Sequence, residues 1–262
     1  MRRFTGFCAG VVLLSALVAC GPSVEEQAAT ALEGQWVAVQ EAKSALDQMR
    51  QELADLKAAA ETTVEGAEEA TEEVTEEAAA ASAAAIAELE QKVDDTAGEF
   101  NQQLVDFINS DPPVEGEARS ERQNAAFAMK SDEDILVAQE YINVGGDYKR
   151  AISIYEQAMT ADPENARLQE LLAEAQELRF MSEERFGAVK KGMTEEEVRA
   201  SLGPVNLRNV REYEDKGATA WFYPKDDQGS AAAVWFRRAG QEAPLKVYDI
   251  NFEALKGQQG EG

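Results

Sequence analysis

An α+β protein is what the sequence predicts, with long helices first and a small sheet last. Three observations carry this: a seven-residue apolar rhythm from Leu32 to Leu56, apolar residues at helical spacing from Ile135 to Ala175, and clean alternation from Leu245 to Glu253. In chain order they describe a long acidic helical or coiled-coil arm, a helical hairpin, and a small ααβββ module with a three-stranded antiparallel sheet. The boundaries fall at a leader over 1–19, the arm and linker over 20–117, a helical region over 118–180, the module over 181–255 and a tail over 256–262.

The leader opens with Arg2 and Arg3, runs apolar from Phe7 to Ala19 and closes on small residues at Cys20, which is the pattern of a secretory signal. No later stretch approaches the roughly 20 apolar residues of a spanning helix. The closing tetrad Leu17-Val18-Ala19-Cys20 resembles a bacterial lipobox. That resemblance implies cleavage before Cys20 and attachment to its sulfur of a diacylglyceryl group bearing palmitate-type chains. Two or three such chains hold a protein on a bilayer almost irreversibly, whereas one does not. Gly21, in place of an aspartate after the cysteine, implies the outer membrane with the body facing the periplasm, by the sorting rule of enteric bacteria.

Composition narrows the classes. Fifty acidic side chains against twenty-five basic ones leave a net charge of −25, which disfavours a nucleic-acid partner because phosphate binding needs clustered cations. The sequence has no histidine, and its two cysteines are Cys8 in the leader and Cys20. The mature chain is therefore expected to have no disulfide, no thiolate or imidazole metal site and no cofactor, and no catalytic residues are assigned.

In the arm, Leu32, Val39, Leu46 and Leu53 form one seam line and Ala42, Met49 and Leu56 the other. A helix over about 31–60 follows, roughly 45 Å long. Residues 61–85 are an Ala/Glu/Thr stretch, read as a linker or a solvated helix. Its runs Glu68-Glu69 and Glu72-Glu73 are a solvated face rather than a calcium loop, lacking alternating ligands and a glycine turn. Rhythm returns at Ile86, Val93, Phe100 and Phe107 and stops at Asp111-Pro112-Pro113. The two blocks can fold back as a hairpin, self-associate with other copies, or stand as separate helices on a stalk.

Past the prolines, Ile135, Ala138 and Ile142 share one helix face, Ala151, Ile152, Tyr155 and Ala158 the next, and Leu168, Leu171, Leu172 and Ala175 a third. Gly145-Gly146 and Asp162-Pro163 separate them. Gly146, Ala151, Tyr155, Ala158 and Pro163 resemble a tetratricopeptide repeat at its signature offsets, although Ile135 and Ile142 replace its usual aromatics. A lone repeat cannot cover its own apolar face. Coverage is expected from the helix over 165–179 on one side and from a helix through Ala125, Phe127 and Met129 on the other.

In the last module Thr194 and Glu197 form a capping box, Val198 and Leu202 give the short helix an apolar side, and Gly203-Pro204 ends it. Gly192, Met193 and Pro204 are read as structural. Strands are expected at Ala218 to Pro224, Ala231 to Arg238 and Leu245 to Glu253, with Tyr248, Ile250 and Phe252 on one face of the last and Asp249 and Asn251 on the other. The set Val189, Gly192, Met193, Thr194, Val198, Leu202, Gly203, Pro204, Trp221, Phe222 and Tyr223 resembles the SmpA/OmlA (BamE-like) family over roughly 182–253, departing from it in an insertion over 205–217. The resemblance implies a non-catalytic lipoprotein attached to the outer-membrane β-barrel assembly machinery, a scaffold in envelope biogenesis. The same fold occurs in inhibitors of secreted enzymes, and the arm alone would suit a passive spacer between membrane and cell wall. Alternation puts aromatics on both sheet faces, so Trp221, Tyr223 and Trp235 are the expected partner-binding residues unless the charged insertion folds over them.

Overall fold

The computed structural model describes residues 23–65, 72–240 and 243–257. The leader, Cys20, Glu68 and Glu69, and most of the tail lie outside those residues. Seven helices and one four-stranded antiparallel sheet make up an α+β fold. Among the described residues no helix is long and apolar enough to cross a membrane.

Helices α1 (Val24–Glu65) and α2 (Glu72–Ser110) are 42 and 39 residues long. At 1.5 Å per residue α1 extends about 63 Å. They pack antiparallel: Trp36 meets Phe107 with ring centroids 5.0 Å apart, and further along Lys57 bonds Glu90 at 2.7 Å. Of the three arrangements open to the two blocks, the chain adopts the hairpin. Both seam lines turn inward, with Val39, Leu46, Val93, Phe100 and Phe107 buried and Leu32, Ala42, Met49 and Leu53 half-buried beside them. The seam is thus filled within one chain. Trp36, Lys43, Arg50 and Lys57 form a third seven-residue line beside it: Trp36 and Lys57 hold α2, and Lys43 and Arg50 reach Glu133 outside the arm.

Ser120 and Gln123 make a capping box that opens α3 (Glu121–Asn143). This one helix contains both the segment through Ala125 and Met129 and the segment through Ile135 and Ile142, which the sequence reading had separated; no proline or glycine interrupts them. Its first half closes the hairpin into a three-helix bundle, adding Ala126 to the arm's core. Its second half packs with α4 (Tyr148–Ala161) and α5 (Ala166–Leu178) around Ile135, Ala138, Ala151, Tyr155, Ala158 and Leu168. Between the halves sits Glu133, 1% exposed, which receives both Arg50 guanidinium nitrogens at 2.8 and 2.7 Å. Hydrogen bonding to that carboxylate raises the Arg50 pKa further above its ordinary value, against the opposing effect of burial.

The helical part and the sheet module are joined backbone to backbone. Gly146 turns the chain at φ +59°, and a Cβ there would lie 2.4 Å from the Val205 carbonyl carbon. Leu207 N–H donates to Gly145 at 3.3 Å, and Met181 N–H donates to Pro224 at 2.7 Å. Arg185 adds donors to the Leu202 carbonyl at 2.7 Å and the Leu178 carbonyl at 3.3 Å.

In the module, α6 (Glu183–Phe186) and α7 (Glu195–Leu202) cover one face of a sheet ordered β1-β2-β3-β4. The strands are β1 (Val210–Tyr213), β2 (Ala218–Pro224), β3 (Ala231–Arg238) and β4 (Leu245–Leu255). The sheet therefore has four strands, not three. The extra strand comes from the segment taken as an insertion, where Val210 pairs with Trp221 and Tyr213 with Ala218. Gly217, at φ +53°, makes the return to β2. That segment completes the sheet edge instead of folding across its face.

The outer face of the sheet as candidate functional site

Strand alternation sorts the aromatic residues into two sets. Trp221 and Tyr223, expected to bind partners, lie on the helix-covered face and are only 4% and 5% exposed. Trp221 packs against Phe236 with centroids 4.7 Å apart, and the Tyr223 hydroxyl donates to the Gly203 carbonyl at 3.4 Å. Burial pushes the Tyr223 phenol well above its ordinary pKa. Both are core residues, which corrects their assignment. Alternation alone pairs 221 with 223; which face the helices cover is settled by Val198, Leu202 and Phe186 docking there.

Trp235 is on the opposite face, where it was expected to be accessible, and it is half-buried. Its company is different from the expected set. Tyr213 lies 5.2 Å away and Phe222 6.1 Å away, ring centroid to centroid, the latter edge-on. The register explains the arrangement: Ala220 stands opposite Trp235, Ala218 opposite Tyr213, and Ala233 opposite Phe222. Each large ring has an alanine opposite it on the neighbouring strand, which leaves room for the rings to pack against one another at a half-exposed surface. These alanines are at most 6% exposed.

Three exposed cations border this cluster. Arg211 occupies the same cross-strand row as Trp235, Arg237 follows two residues later on β3, and Lys246 faces Arg237 directly across β3 and β4. Among the described residues none of the three forms an ion pair with a carboxylate. The Arg237 guanidinium stacks on Tyr248 at 4.4 Å. Tyr248 was expected on the core side with Ile250 and Phe252. A register shift between the Trp235 and Phe236 pairings leaves it without a cross-strand partner, and it is not among the side chains packed on the core. The carboxylate facing Trp235 is Asp249, held by Lys191 at 3.2 Å.

A second concavity of about 350 Å³ lies where α4 meets the module, lined by Tyr148, Phe180, Met181, Leu202 and Tyr223 among others. Its carboxylates are engaged, while Lys149 and Arg208 in its lining have no ion pair among the described residues. Arg179 pairs with Asp227 across the rim, and Asp226 accepts from the backbone N–H groups of Gln228 and Ser230 at 2.8 and 3.0 Å. No group of three or more acidic or cysteine side chains that could hold a metal occurs among the described residues.

Tyr213 and Phe222 were missed as members of the outer cluster, as were the three cations. The signal for them was Ala218 and Ala220 at alternate positions of β2 with Ala233 on β3, which mark the strand face that has room for neighbouring rings. Comparison of the chain with protein-family models, with curated proteins and with solved structures returned no match.

Proposed function

We propose that this chain is a lipid-anchored scaffold of the bacterial envelope, tethered through Cys20 to the outer membrane and holding protein partners on the outer face of its sheet in the periplasm. The partner that the SmpA/OmlA resemblance points to is the β-barrel assembly machinery. The α3–α5 unit, read as a tetratricopeptide-like hairpin, is the rigid mount for the sheet. The observation that carries the reading is the half-buried cluster Tyr213, Trp235 and Phe222 on a sheet face that no helix among the described residues covers. Aromatic side chains held in fixed positions at a surface dominate protein–protein binding energy at little entropic cost.

The folded-back arm favours this reading over a passive spacer. α1 leads away and α2 returns, so Phe107 ends beside Trp36 and the two long helices add almost no net distance between Val24 and the body.

The test uses the full-length chain in its native host with a photo-crosslinking amino acid at Trp235, and in parallel at Ser201 on the exposed side of α7. Protein adducts at 235 and not at 201, lost from the membrane fraction in Cys20→Ala, are the expected result. Membrane retention of Cys20→Ala removes the anchor, and equal adducts at both positions remove the sheet face.

A further inference from the structure

We propose that the outer sheet face recognises a carboxylate-rich peptide segment of its protein partner. Resting on the docking role given above, this names the chemistry of what docks. The apolar part of such a segment lies over Tyr213, Trp235 and Phe222, and its carboxylates reach Arg211 and the Arg237–Lys246 pair.

Two independent observations lead there. The first is sign: the chain as a whole has twice as many carboxylates as cations, yet this face presents Arg211, Arg237 and Lys246 with no ion pair among the described residues, while its carboxylates Asp249 and Glu253 already have Lys191 and Lys225. The second is placement. Arg237 and Lys246 are direct cross-strand partners, and like charges in that position destabilise a sheet. A carboxylate between them reverses the cost and gains charge-assisted hydrogen bonds, with the guanidinium able to hold it by two parallel bonds. A second copy offering its own acidic arm is the competing occupant, and it is read out below as self-association that the charge reversal abolishes.

Tryptophan fluorescence reads the face selectively, since Trp36 and Trp221 are at most 9% exposed and Trp235 is on the outer surface. The full chain is titrated with a synthetic peptide of Glu-Ser-Leu repeats and with its Lys-Ser-Leu counterpart. The expected result is a saturable shift with the acidic peptide only, weakened about tenfold or more in Arg237→Glu/Lys246→Glu and less in Arg237→Gln/Lys246→Gln. Both pairs are exposed, and circular dichroism confirms that the variants fold. An equal response to the basic peptide, an unchanged response in the charge-reversed variant, a response to phosphatidylglycerol vesicles in place of the peptide, or self-association that the reversal abolishes each overturns the proposal. Protein adducts at Trp235 that survive charge reversal keep the docking face and discard the acidic partner, whereas absence of adducts at Trp235 in the unreversed chain discards the docking face itself.

Discussion

The arm and the sheet module solve the same problem, burying apolar surface in a small volume, with opposite materials. Residues 20–117 contain twenty-four carboxylates and four basic side chains, while residues 181–255 contain thirteen and eleven. Most of the net charge therefore belongs to the arm, and the module is close to neutral. The arm's core is a narrow seam of one or two side chains per turn between two helices. The module's core is a compact cluster of Met181, Phe186, Val189, Leu202, Trp221, Tyr223, Val234 and Phe236 under a sheet. What the difference teaches is where recognition can be built. A solvated acidic helix pair presents the same repelling surface all along its length, whereas the module varies sign and shape from one sheet row to the next.

Breaking each core in turn tests whether the two regions fold as one unit. Phe236→Ala removes a ring with no exposed surface and is expected to cost about 4 kcal/mol, and Leu46→Ala in the arm about 3 kcal/mol. Helix α3 contributes to both the arm's core and the helical core, so denaturant unfolding followed by circular dichroism should show both substitutions lowering one common transition. Two separate midpoints, with Leu46→Ala moving only one, would show that the arm folds alone. The joint itself comes next. Glu133→Ala leaves Arg50 beside a vacated site and should cost about 3 kcal/mol, whereas the double change Arg50→Met/Glu133→Leu should stay within about 1 kcal/mol of the parent. Should the double variant fall as far as the single, packing rather than charge holds arm to body.

At the other joint, Gly146→Ala is expected to cost about 2 kcal/mol, because a Cβ would strike the Val205 backbone in addition to the unfavourable positive φ. Gly192→Ala is the control, with φ +95° and nothing within 4 Å of the added carbon. Equal losses in thermal melts would mean that conformation, not the close approach, sets the cost.

Periodicity made most of this architecture legible in advance. Leu32, Val39 and Leu46 repeat long enough to declare a seam, and Thr194 with Glu197 declares a helix start. Three features stayed hidden for physical reasons. The partner of the seam depends on a chain reversal that the apolar pattern does not encode. β1 reads Val-Arg-Glu-Tyr, four residues with charges at its centre, too short for alternation to register. Trp221 and Tyr223 were grouped with Trp235, which the strand register puts on the other face, and alternation is blind to which face the helices will take. Trp235 was the one expected partner-binding residue that the fold leaves at the surface, and its neighbours Tyr213 and Phe222 could be found only once the strand register was known. Cys20 lies outside the described residues.

The smallest expected effect separates what a carboxylate does in each region. In the arm, several described carboxylates pair with exposed side chains, as Glu90 does with Lys57 and Asp55 with Gln51. In the module, Asp226 organises the β2–β3 turn, accepting from the side chain and backbone of Ser230 and from the N–H groups of Gln228 and Gly229. These hydrogen bonds favour the ionised form and hold its pKa below the ordinary value. A carboxyl group whose pKa is depressed on folding stabilises the fold above its unfolded value and loses that contribution as pH falls through the folded one. Thermal melts of Asp226→Asn against the parent should therefore show a small deficit at pH 7 that shrinks below about pH 4. Taking the difference between the two proteins cancels every contribution they share. A deficit that stays constant down to pH 3 would mean that the turn is held by backbone geometry around Gly229, and that the Asp226 charge is as free of structural consequence as those on the arm.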